Sequence, residues 1–432
     1  MKALLLLGAA LLAAPAVAET VAITGGTVAL GDGSAPIQGG TVVIRDGRIA
    51  AAGQGVGVPA GARTIDASGK WVAPGFVAGF SRVGLVEVDA VDPTNDTQAR
   101  NSPWSAAIDV EPGINSRVSA IAVSRLGGVT RAIVAPSSTH SIFAGQGAVI
   151  DTAVHPDAVM VPRAFQFAEL GEDGAQAAGG SRPAAYLQFR ASLQAAQRYA
   201  RNPAGYDGDS KDSLLNRADA AALVPVVTGR MPLLVHVESG NDIRNVLKLK
   251  REFPALKLVI VGAAEGWTVA RDIAAANVPV IANALTDLPA AFETLAATQS
   301  NIGRMKQAGV RVSIGMNNED EARQARYAPQ YAGNLVALTK IPGAAGLSWG
   351  DALAAITSAP ADALGLSGEI GSLRAGRRAD VVLWDGDPLE LSSHAERVWI
   401  DGVEQPMVDR QTKLRDRYAR PQEGELPKAY ER

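Results

Sequence analysis

Leu233-Leu234-Val235-His236-Val237, Leu258-Val259-Ile260-Val261, Val278-Pro279-Val280-Ile281-Ala282 and Val310-Arg311-Val312-Ser313-Ile314-Gly315 are four short apolar runs separated by intervals of helix length. Runs of this size fit strands buried on both faces, as in a parallel sheet covered by helices. Helical spacing fills the intervals at residues 242–252, 268–276 and 290–297. Further out, residues 75–80 and 129–135 read as strands, and 190–201 and 349–359 as helices. Strand and helix alternating from about residue 73 to 365 is the pattern of a parallel βα barrel. Residues 86–125 and 168–216 are broken by Gly, Pro, Asn and Asp and read as long loops that shape a barrel mouth.

Outside this stretch the text turns β-rich. Thr41-Val42-Val43-Ile44 leads into Arg45-Asp46-Gly47-Arg48, a hairpin signal because Asp-Gly tolerates the positive φ of a type I′ turn. Ala379-Asp380-Val381-Val382-Leu383-Trp384 and Val398-Trp399-Ile400-Asp401-Gly402 repeat the style near the other end. A β layer divided between two ends of a chain must close around what lies between. The expected organisation is a β unit from residues 19–73 and 366–405, a barrel over 74–365, and a surface helix with a polar tail over 406–432. The first residues, Met1-Lys2, an apolar run over 3–14, Pro15 and Ala16-Val17-Ala18, have the three parts of a secretory signal peptide. Cleavage after Ala18 and a secreted, periplasmic location are expected. No later segment is long and apolar enough for a membrane span.

Composition narrows the chemistry. The chain has 432 residues, 41 Lys plus Arg against 44 Asp plus Glu, a net charge of -3, and no cysteine. No basic stripe is offered to nucleic acid, and disulfides, thiolate metal sites and cysteine nucleophiles are excluded. Only four histidines are present, His140, His155, His236 and His394. No Gly-x-Ser-x-Gly elbow, phosphate loop or dinucleotide fingerprint is found in a strand-to-helix context.

Ile44-Arg45-Asp46-Gly47-Arg48-Ile49, Ile65-Asp66-Ala67-Ser68-Gly69-Lys70-Trp71-Val72-Ala73-Pro74-Gly75-Phe76, Gly128-Val129-Thr130, Gly145-Gln146-Gly147-Ala148-Val149-Ile150 and Ile370-Gly371-Ser372-Leu373-Arg374-Ala375-Gly376-Arg377-Arg378-Ala379-Asp380-Val381-Val382 occur in this order. The set resembles the amidohydrolase superfamily, in its imidazolonepropionase-like branch. The resemblance implies an α/β fold, a (β/α)8 TIM-like barrel with a small β-sandwich from both chain ends, and hydrolysis of C–N bonds in amides or cyclic amides. It also implies zinc or another divalent metal at the barrel mouth, held by His-x-His after the first strand, single histidines after the fifth and sixth, and an Asp after the eighth. Such a metal lowers the pKa of bound water to about 7 and polarises a carbonyl.

Several positions depart from that pattern. In Phe80-Ser81-Arg82 the His-x-His positions hold Phe80 and Arg82, neither of which offers a lone pair; Gly262 stands after the sixth strand. Asn317 occupies the position of the catalytic Asp, and an amide is no general base. His236 alone is retained, either as a tethered neutral imidazole or as a former ligand that now binds a substrate group. Arg82 would hold a substrate carboxylate, pair with Glu238, Glu265, Glu319 or Asp320, or reach solvent. The same acids with His236 form the one conceivable oxygen-rich metal site. His140 reads as a hydrogen-bonded loop residue, His155 and His394 as surface residues.

Two readings follow. In the first, the chain is an exported, non-catalytic barrel with no metal cofactor that binds a small ligand through Arg82, His236 and Asn317, or serves as partner to a related amidohydrolase subunit or oligomer. In the second, it is a working C–N hydrolase with a non-standard metal site.

Overall fold

The computed structural model describes residues 19–88, 90–208, 210, 213–315 and 324–419. Six strands precede the first barrel helix: β1 (Val21–Val28), β2 (Ile37–Arg45), β3 (Arg48–Gly53), β4 (Arg63–Asp66), β5 (Trp71–Pro74) and β6 (Phe76–Ser81). Then come β7 (Val129–Val134), β8 (Phe143–Asp151), β9 (Val159–Glu169), β10 (Pro232–Val237), β11 (Lys257–Gly262), β12 (Val280–Ala282) and β13 (Val312–Ile314). The chain closes with β14 (Val381–Trp384), β15 (Ala395–Ile400) and β16 (Val403–Gln405).

The two ends build one eight-stranded sheet in the order β16-β15-β14-β5-β1-β2-β3, with β4 pairing β1. Strand β14 lies antiparallel to β5, with Val382 opposite Ala73, so the C-terminal segment is stitched to the N-terminal one. Ile23, Val42 and Ile44 share a core with Val381 and Trp399. The β2–β3 hairpin turns through Asp46 and Gly47 at φ 51° and 72°, the geometry expected of Asp-Gly.

The second sheet has the order β13-β12-β11-β10-β9-β8-β7-β6 and curls until β13 faces β6. Phe80, Ile133, Val149, Phe165, Phe167, Leu234, Val259, Val261 and Ile281 fill its interior, and helices cover its outside, as in a packed TIM-type barrel. One strand departs from the expected all-parallel order: β8 is antiparallel to both β7 and β9. The reason is reach. Residues 135–142 and 152–158 join these strands, and a parallel return needs a crossover of about a dozen residues or more.

The helices also differ in extent from the expected spans. Residues 168–216 contain a 20-residue helix, Arg182–Arg201, begun by Ser181, whose side chain accepts from Ala184 N–H. The helix expected over 290–297 is only a 3-10 turn at Phe292–Thr294, with Phe292 and Leu295 in solvent. The surface helix near the C terminus is Arg410–Ala419. No described helix is long and apolar enough to cross a membrane.

Candidate functional site

The ends of β6, β9, β10 and β11 meet at one rim of the barrel. Alternation along β9 puts Phe165, Phe167 and Glu169 on the inward face, and register pairs Glu169 with His236 on β10. The imidazole lies between two carboxylates. Its Nδ1 donates to Glu169 Oε1, and its Nε2 lies 2.9 Å from Glu238 Oε1. Glu238 is fixed in turn by the Ala264 N–H, which donates to its Oε2 at 2.7 Å. Burial alone would depress the imidazole pKa, but the charge and hydrogen bond of Glu169, with those of Glu238, hold it well above its ordinary value. The two carboxylates thus favour the protonated imidazole over the neutral one.

Gly262 makes this arrangement possible. Its φ is 90°, and a Cβ there would sit 2.6 Å from Glu238 Oε1 and 2.8 Å from the His236 ring. Glu238 folds back through the space that a side chain at 262 would fill.

Phe80 and Arg82 flank the pair. Phe80 packs on Phe167 with ring centroids 5.2 Å apart, and the Arg82 guanidinium carbon is 6.0 Å from the Phe80 centroid. Arg82 is only 7% exposed, which overturns its solvent-facing reading. A cavity of about 320 Å³ opens here, lined by Phe80, Arg82, Glu169, Asp173 and His236. Its size suits a small molecule, near the lower limit of about 300 Å³ for ligand pockets.

Thus Phe80, Arg82, Gly262 and His236 converge at the mouth. Asn317, Glu319 and Asp320 lie outside the described residues. Glu265 is occupied elsewhere, accepting from the N–H groups of Gly240 and Ala296 at 3.0 and 2.9 Å. His140 is exposed, 2.9 Å from Thr139 Oγ1; His155 lies 3.0 Å from Asp151, and His394 is exposed near Asp385.

Sequence reading missed Glu169, because Pro162-Arg163 interrupts the alternation of β9, with Arg163 at φ 47°. The available signal was Phe165-Gln166-Phe167-Ala168-Glu169, a strand pattern ending in an acid.

Among the described residues no group of three or more His, Cys, Asp or Glu side chains is placed to hold an ion.

Glu293 adds a titrating acid beside this cluster. Burial pushes its carboxyl up, the Glu172 N–H and the His236 charge pull it back, Glu172 and Glu238 add repulsion, and the result is about 7. The native state keeps this proton between pH 4.5 and about 7, where the unfolded chain has released it. Its stabilising contribution is complete below 4.5 and is lost as pH rises through about 7. At ~1.4 kcal/mol per pH unit, stability should fall by up to about 3 kcal/mol across that window. Urea unfolding at pH 5 and pH 8 should show Glu293→Gln removing most of this slope; an unchanged slope would contradict the assignment.

Comparison with known proteins gives a consistent set of likenesses. The model of the Amidohydrolase family matches residues 239–413. Amidohydrolase tasK of Hapsidospora irregularis is 25% identical over 382 residues, 81% of this chain and 38% of that protein, so the chain spans well under half of that curated relative. The crystal structure of an amidohydrolase from Thermotoga maritima MSB8 superposes with a TM-score of 0.77 at 25% identity, covering 89% of this chain and 99% of that one. Molinate hydrolase shares the fold at a TM-score of 0.55 and 19% identity, with 90% and 95% covered.

Proposed function

We propose that the chain is an exported, non-hydrolytic relative of the amidohydrolases that binds a small polar ligand at the barrel mouth, a reading supported by the match of residues 239–413 to the Amidohydrolase family and by the likeness to the Thermotoga maritima amidohydrolase. The observation that carries this reading is His236, whose two ring nitrogens are both taken by carboxylates, Glu169 and Glu238. In such a site no water is activated by a metal ion, and the imidazolium offsets part of the charge of the two carboxylates that clasp it. Arg82 brings a guanidinium to the cavity wall, while Glu169 and Asp173 offer acceptors, so the cavity suits a ligand carrying both an acid and an amine or amide. Phe80 and Phe167 supply an apolar wall that excludes water from one side. The N-terminal text over residues 1–18 supports export; N-terminal sequencing of the mature protein from a periplasmic fraction should begin at Glu19.

Elemental analysis tests the site reading. Purified protein incubated with zinc and then dialysed is expected to retain far less than one metal per chain. Amide and cyclic-amide substrates are expected to show no turnover that a chelator abolishes. Stoichiometric retained metal together with chelator-sensitive turnover that His236→Ala removes would overturn it.

The second reading, a C–N hydrolase with a non-standard metal site, draws on one feature. Glu169, His236 and Glu238 come from adjacent strands, and deprotonation of the imidazole would turn them into an O, N, O donor set. It predicts the opposite outcome of the same analysis.

A further inference from the structure

The largest cavity described, about 1010 Å³, is a groove on the barrel flank, away from the mouth. It runs along one face of the helix Ser119–Leu126, between the tip of the β8–β9 hairpin and the start of the helix Arg410–Ala419. Its walls are largely apolar, with Val118, Ala122, Val154 and Val408 among them.

One buried charge lies in this apolar lining. Arg125 is 3% exposed and has no ion pair among the described residues. Its Nη1 donates to the Thr152 carbonyl, and its buried Nε has no hydrogen-bond partner. A buried guanidinium without a counter-charge is costly, and such groups are ordinarily paired. Burial lowers the pKa of Arg125, with no carboxylate acting in the other direction.

The surroundings share its sign. Arg117, Arg410 and Lys413 line the same groove and form no ion pair with a described residue. The N-terminal turn of the helix Ser119–Leu126 opens onto it, and its N-cap, Val118, has no side-chain acceptor for the free N–H groups. Of the two lining acids, Asp409 is engaged by Thr412 at 2.7 and 2.9 Å, and Glu87 is exposed at the rim. His155 is turned to Asp151 at 3.0 Å.

We propose that this groove is a second binding site, for an amphipathic organic anion whose oxyacid head group pairs with Arg125 and whose apolar body lies along Val118, Ala122 and Val154. Four cationic side chains facing two acids select the head group. The length of apolar wall selects against small inorganic anions, which gain nothing from it.

Isothermal titration of the full-length mature protein with decanoate, decanol and inorganic phosphate tests this. Decanoate is expected to bind at one saturable site at least about tenfold more tightly than decanol or phosphate, since a charge-assisted pair is worth roughly 1.5–3 kcal/mol. Arg125→Met is expected to lose at least that factor. Ala122→Phe, which fills the groove without touching the charge, is expected to abolish binding and keeps the test valid if Arg125→Met fails to fold. Absence of saturable decanoate binding, equal binding of decanol, or decanoate binding that Ala122→Phe leaves unchanged would overturn the proposal. A phosphate affinity equal to that of decanoate would do the same, marking a simple anion site.

Discussion

Arg131→Met is expected to cost about 3–5 kcal/mol of folding stability, the range for a buried charge left without its partner. Arg131 lies on β7 at the end of the barrel opposite His236, and its side chain is 0% exposed. Its Nε and Nη2 both reach Asp380 at 2.8 Å, and Nη2 also reaches Asp401 at 2.8 Å. Asp151 follows at 3.7 Å. Burial disfavours the guanidinium charge, but Asp380, Asp401 and Asp151 together raise its pKa above the ordinary value. Asp380 and Asp401 belong to the segment that forms β14 and β15, so one side chain ties the terminal sheet to the barrel. Truncation leaves Asp380, 4% exposed, uncompensated. The double variant Arg131→Met/Asp380→Leu should recover much of the loss, because an apolar pair can replace a buried ion pair. Urea unfolding of the single and double variants measures both effects. A single-variant loss below about 1 kcal/mol would show that water, not Arg131, solvates these carboxylates.

Gly79→Ala is expected to be nearly as damaging, at about 3 kcal/mol or more, because overpacking against backbone has no rotamer escape. The barrel closes where β6 meets β13. A Cβ on Gly79 would lie 2.4 Å from the Ile314 carbonyl oxygen and 3.3 Å from Ile281 Cγ2. One strand must move away, which opens the barrel directly beside the mouth. Unfolding should become easier, and ligand binding at Arg82 and His236 should weaken with it. If the thermal midpoint of Gly79→Ala lies within a degree or two of the parent, the seam is looser than described.

Legibility differed between the fold and the site. The runs at Leu233, Leu258, Val278 and Val310 identify β10 to β13 because a strand buried on both faces has little choice but Val, Ile and Leu. The Asp46-Gly47 turn is legible for a related reason, since few residues accept its dihedrals. The helix expected over 290–297 misleads because Phe292 and Leu295 imitate an amphipathic period while standing in solvent, 85% and 64% exposed. Strand β9 is hidden by Pro162-Arg163, and with it Glu169.

The mouth divides in the same way. The expectation that Phe80, Arg82 and Gly262 occupy metal-ligand positions, with His236 retained, rests on the resemblance to the family carried by the order of motifs along the chain. That the imidazole is clasped on both sides does not follow from that order, because Glu169 is 67 residues from His236 in the chain and reaches it only through strand register. The role of Gly262 is likewise spatial, as the space it leaves is used by Glu238.

By itself the sequence determined β6, β7 and β10 to β13, their order along the chain and the residue types available at the rim, since local period and turn chemistry are properties of neighbouring residues. Only the tertiary structure decided the reversed direction of β8, the ionic tie from Arg131 to the terminal sheet, and the clasp of His236 between Glu169 and Glu238. These depend on distances between residues far apart in the chain, and on charge interactions that strengthen only once folding has removed the water between them.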